Sequence, residues 1–66
     1  MTIDEVVAIV REETGHEVSP ETCLDKLDMD SLDFLELLVH VGVPNEVVPR
    51  INTVNDLWLA SEGQLV

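Results

Sequence analysis

The sequence predicts an all-α fold: a small antiparallel four-helix bundle with a long first loop and a very short third helix. Apolar residues recur at helical spacing in separate stretches, and nothing reads as an alternating strand. Thr-x-x-Glu and Thr-x-x-Asp signatures open two of those stretches. Long helix, long loop, helix, short turn, helix is the order expected of such a bundle.

The first helix is expected from about Ile3 to Thr14. Ile3, Val6, Val7 and Val10 recur at i, i+3, i+4 and i+7, the spacing of one helical face. Thr2 and Glu5 form a capping box at its start, and Gly15 suits the left-handed residue after its last turn. A loop follows from Gly15 to Asp30, with Ser19-Pro20 as a turn signal and Cys23, Leu24 and Leu27 as apolar anchors. The second helix is expected from Ser31 to about Val41, where Gly42 and Pro44 end it. Asp33, Glu36 and His40 share one narrow face of it. Apolar residues fill the remaining arc of roughly 220°. So wide an arc implies packing on two sides or apolar surface left for a partner.

Asn45-Glu46-Val47-Val48 is expected to form one helical turn capped by Asn45 and kept short by Pro49. The last helix begins after Thr53, whose capping-box partner is Asp56. Val54, Leu57, Trp58 and Ser61 form its expected inner face, and Gly63 ends it.

The 66 residues make one domain, 1–66. A chain this short buries only about 60% of its unfolded surface, so any site is expected at the surface rather than in a deep cleft. Fourteen acidic residues against three basic ones give a net charge of −11. Basic partners are expected, and nucleic acid and anionic membrane are disfavoured. Apolar residues make up 45% of the chain, which separates it from an acidic disordered tail. One cysteine, Cys23, excludes an internal disulfide and reads as a buried loop anchor. No signal-peptide pattern is visible, and no apolar run approaches the ~20 residues of a bilayer span. A soluble, cytoplasmic monomer is the resulting expectation.

The most informative residues are Asp30-Ser31-Leu32-Asp33, where an acidic loop gives way to the apolar run Phe34-Leu35-Glu36-Leu37-Leu38-Val39. Ser31 is placed to open a helix with its hydroxyl exposed. Leu27-Asp28-Met29-Asp30-Ser31-Leu32 resembles the Leu-Gly-x-Asp-Ser-Leu attachment motif of acyl carrier proteins. Leu32-Asp33-x-x-Glu36-Leu37 is similar to that family's recognition helix. Ile51-Asn52-Thr53-Val54-Asn55-Asp56-Leu57 is similar to its Ile-x-Thr-Val-x-Asp-Leu stretch at the last helix. The resemblance runs from Thr2 to about Ala60.

This resemblance implies a fold of acyl-carrier type and a non-enzymatic role. A stand-alone carrier would hold acyl groups as thioesters on a 4'-phosphopantetheine arm joined to Ser31. A phosphopantetheinyl transferase would attach the arm from coenzyme A with Mg²⁺. Asp30, Leu32, Asp33 and Glu36 would meet that enzyme and basic-surfaced acyl-transferring or condensing enzymes. A phosphodiester at a helix N-terminus meets free amide groups and the positive end of the helix dipole. Three departures stand out. Asp28 replaces the family's glycine, Cys23 replaces a phenylalanine, and the stretch between His40 and Pro44 lacks a usual cluster of glutamates. They imply service in a specialised lipid or polyketide-type pathway.

Other readings attach to the same residues. Ser31 could be only an N-cap, and Asp33, Glu36 and His40 only a solvated face. Asp28-x-Asp30 begins like a calcium loop, but Leu32 and Asp33 occupy positions that need an oxygen ligand and a glycine. His16 and His40 read as surface residues outside any metal or triad pattern. An aminoacyl or peptidyl carrier and an unmodified helical interaction module are the rival functions. The charge generates a prediction: self-repulsion opposes a small domain's stability margin of ~5 kcal/mol or less. Added salt or millimolar divalent ions should raise the melting temperature in a thermal scan; an unchanged or lower value would show that repulsion is not limiting.

Overall fold

The structure, a computed structural model, describes residues 1–65 and is all-α. Three α-helices, α1 (Ile3–Thr14), α2 (Ser31–Val41) and α3 (Val54–Ser61), alternate with two 3₁₀ segments, Leu24–Lys26 and Asn45–Arg50. Each α-helix packs against the other two. Among the described residues no helix is long and apolar enough to cross a membrane.

Local chemistry sets the helix limits. Thr2 caps α1 through the amide of Glu5, and the Glu5 carboxylate accepts the amide of Thr2 at 2.8 Å. That backbone hydrogen bond holds the Glu5 carboxyl below its ordinary value of 4.5. The depressed value means that the contact stabilises the fold above about pH 4.5 and is lost as pH falls through the lowered pKa. Gly15 ends α1 at φ 71° and Gly42 ends α2 at φ 82°, left-handed values that favour glycine.

The core is a set of short apolar faces. Val6 and Val10 come from α1, Leu37, Leu38 and Val41 from α2, and Val54, Leu57 and Ala60 from α3. Leu24 and Ile51 close it from the connecting segments. The spacing predicted for α1 matches, with Val6 and Val10 innermost and Ile3 and Val7 half-buried. The inner face of α3 turns slightly from expectation: Ala60 is buried, while Trp58 and Ser61 are half-buried. The Trp58 indole N–H instead donates to the Met1 carbonyl at 2.9 Å, tying the two ends of the described chain together.

Two expectations about the connections are corrected. Asn45 does not cap a single turn. Pro44 stands at that position without a side-chain cap, and the segment runs to Arg50 with Pro49 inside it. Pro49 has no amide hydrogen, so three-residue turns carry the segment, from the Val47 amide to the Pro44 carbonyl and from Ile51 to Val48. Cys23 is half-buried rather than buried. Its role is in the backbone, where it forms an antiparallel bridge with Thr53.

That bridge fastens the long first loop to the start of α3. The Leu24 amide donates to Asn52 and the Val54 amide to Thr22, and the Asn55 amide reaches Pro20 at 2.9 Å. The Asp56 amide donates to the Thr53 hydroxyl and the Thr53 amide to the Asp56 carboxylate, so all four donors left free at the start of α3 are used. Leu57, fully buried where the three helices meet, gives the test of this core. Leu57→Ala should cost about 2–5 kcal/mol, comparable to the whole margin of so small a domain. Urea denaturation followed by circular dichroism should find the variant largely unfolded without denaturant.

Candidate functional site

Helix α2 starts with its cap on the loop side of Ser31. Asp30 is the N-cap, in extended conformation, and its carboxylate accepts the Asp33 amide at 2.9 Å. The Asp30 carbonyl accepts the Phe34 amide at 3.1 Å. Ser31 is therefore the first helical residue and is exposed. The capping role weighed for Ser31 is corrected: aspartate caps as well as serine, and Asp30 already occupies the amide that the serine hydroxyl would have competed for. The Ser31 and Leu32 amides, at positions where an α-helix offers no internal acceptor, have no partner among the described residues.

An open groove of about 400 Å³ lies beside Ser31. Leu24, Leu27, Met29, Phe34 and Ile51 give it an apolar lining, and Asp25, Asp30 and Ser31 supply its polar groups. Its size falls in the range of small-molecule sites. The loop–α3 bridge produces it by placing Leu24 next to Asn52, which carries Ile51 to the same wall. Phe34, one turn after Ser31, faces it from α2.

Of the residues singled out in the sequence, Asp30 and Ser31 are brought together at this groove. Leu32 is 70% exposed and lies outside its lining. Asp33 is half-buried and Glu36 exposed on the helix. His40 leaves that acidic face for a partner, its Nδ1 meeting the Glu13 carboxylate of α1. This pair lies about 13 Å along α2 from Ser31, nine residues at 1.5 Å each, so His40 is not poised as a base for the serine. Among the described residues no three His, Cys, Asp or Glu side chains are gathered for a metal ion.

Sequence reasoning missed the groove. Leu27 and Met29 alternate with Asp28 and Asp30, and Phe34 follows Ser31 at i+3; that spacing was its available signal. Of the two alternatives left open for the wide apolar arc of α2, apolar surface left uncovered is the one seen at Leu35 and Val39, which are 51% and 77% exposed. Comparison of the chain with protein-family models, curated proteins and solved structures found no match.

The cap assignment gives a two-sided prediction. Asp30→Ala should lose about 0.5–2 kcal/mol of stability. Ser31→Ala should stay within about 0.5 kcal/mol, as surface changes do when no cap is removed. Chemical denaturation of both variants distinguishes this order from the reverse, which would make Ser31 the cap.

Proposed function

We propose that this chain is a carrier that holds acyl groups as thioesters on a 4'-phosphopantetheine arm joined to Ser31, in an antiparallel helical bundle of acyl-carrier type. The observation that carries the reading is an exposed serine with no capping task, at the first position of a helix and on the rim of an apolar groove. The Asp-Ser-Leu motif and the Thr-Val-x-Asp-Leu stretch at α3 agree with it.

The residues present fit such an arm. The Ser31 oxygen would take the phosphopantetheine phosphorus of coenzyme A, with the pyrophosphate bond breaking, the adenosine bisphosphate half leaving and the hydroxyl proton passing to a base of the transferase. Bound there, the arm supplies a thiol for the thioester. The Ser31 and Leu32 amides and the positive end of α2 favour the phosphate, while the Asp30 carboxylate opposes it and attracts a basic transferase. Leu24, Leu27, Met29, Phe34 and Ile51 offer apolar cover to a cargo chain and thereby favour acyl over aminoacyl cargo. Asp30, Leu32, Asp33 and Glu36 are the proposed contacts for the transferase and for basic-surfaced partner enzymes. In this reading the chain is a cytoplasmic monomer that catalyses nothing itself. Its lack of a glutamate cluster after His40 suits a specialised lipid or polyketide-type pathway.

An unmodified interaction module is the second reading, favoured by the exposed apolar residues of α2. Intact-mass measurement separates the two. Incubated with coenzyme A, Mg²⁺ and a broad-specificity transferase, the wild-type chain should gain one arm and Ser31→Ala none. A wild-type chain that gains nothing, or a Ser31→Ala chain that gains the arm, refutes the carrier reading.

A further inference from the structure

The contact between His40 and Glu13 lies outside the groove at Ser31. The imidazole Nδ1 of His40, in the last turn of α2, meets the Oε1 of Glu13 on α1. Among the described residues it is the one side-chain ion pair that joins two helices. A shallow cleft of about 240 Å³ between those helices holds the pair, and Ala8, Ile9 and Glu12 complete its lining. The side chains of His40 and Glu13 are 55% and 20% exposed. Water therefore reaches the pair from one side, while the wall of Ala8 and Ile9 limits screening on the other.

The charged groups about the imidazole are acidic. Glu12 and Glu13 come from α1. Glu36 stands four residues before His40 on α2, the favourable order for an acid and a base on one helix. The C-terminal end of α2 adds partial negative charge. Arg11 lies about 160° round α1 from Glu13 at ~100° per residue. α3 and the 3₁₀ segments contribute no group to the cleft, and His16, beyond the left-handed Gly15, is outside its lining.

We propose that His40 and Glu13 form a pH-sensitive tie between α1 and α2. With the imidazole protonated, the pair is ionic and joins the end of α2 to α1. With the imidazole neutral, the attraction between opposite charges is lost. Histidine is the side chain whose ordinary value, about 6.5, puts that change between pH 5 and 8. The tie therefore supports the fold on the acid side of that value, down to the range in which carboxylates take protons, and fades on the alkaline side. It does not depend on whether Ser31 carries an arm. Its test uses the unmodified chain, so a failure here leaves the arm-transfer result standing.

The test is a double-mutant cycle of His40→Gln, Glu13→Gln and the double variant, with urea unfolding at about pH 5.5 and about pH 8.0 in the same low-salt buffer. Protonation also lowers the net charge of −11, but the cycle cancels that general effect and isolates the pair. The coupling should favour the folded state about three- to fivefold at the lower pH, the upper part of the range for exposed pairs, and less than ~1.5-fold at the higher. His16→Gln should show no coupling to Glu13→Gln at either pH. His40→Lys, which keeps a cation at both pH values, should retain its coupling to Glu13 at the higher one, a result that a contact held by packing alone would not give. A His40–Glu13 coupling at the lower pH that is less than twice that at the higher overturns the proposal. So does a His16→Gln variant that couples to Glu13→Gln as strongly as His40→Gln does.

Discussion

The hydrogen bond from the Asp33 amide to the Asp30 carboxylate fixes where α2 begins, and the arrangement around Ser31 follows from that register. Starting the helix at Ser31 puts the serine on the surface and turns Phe34 toward the groove. It also sends Leu37, Leu38 and Val41 into the core and leaves Leu32, Leu35 and Val39 outside. Asp30 is a cap that carries a charge, so it contributes twice. Its carboxylate takes one free amide and stands at the positive end of the helix. The serine hydroxyl is thereby released from the role in which serines most often appear at such positions.

The other side of the groove depends on a non-local constraint. A 66-residue chain has too little volume for a core and a deep cleft together. Here the first loop is drawn onto the start of α3 by the Cys23–Thr53 bridge, and the apolar surface of that loop becomes one wall of a shallow groove. The loop also supplies acceptors for the first two amides of α3, whereas the Ser31 and Leu32 amides of α2 have none among the described residues.

Much of this was legible because it is local. The capping boxes at Thr2 and Thr53 and the glycines at 15 and 42 mark helix limits within a few residues of sequence, and the structure places the limits there. The choice between Asp30 and Ser31 as cap was not legible, because both side chains can accept the same kind of amide hydrogen bond and only backbone geometry separates them. The extent of the Asn45–Arg50 segment was obscured by Pro49, which rules out an α-helical hydrogen bond without ruling out successive 3₁₀ turns. The bridge between Cys23 and Thr53 pairs residues far apart in the chain and has no periodic signature. Likewise, the apolar arc of α2 told how much surface is apolar but not which part the other helices cover.

On the proposed carrier reading, Ser31 presents a covalently held chain to the apolar groove beside it. Nuclear Overhauser spectroscopy on the arm-bearing protein, loaded with a short saturated acyl group and labelled at its methyl groups, tests this most directly. The account predicts cross-peaks from the acyl chain to the side chains of Leu24, Leu27, Met29 and Ile51 and to the Phe34 ring. An acyl chain with no contact to any of these residues, or one whose contacts run along Leu35 and Val39 instead, would contradict it.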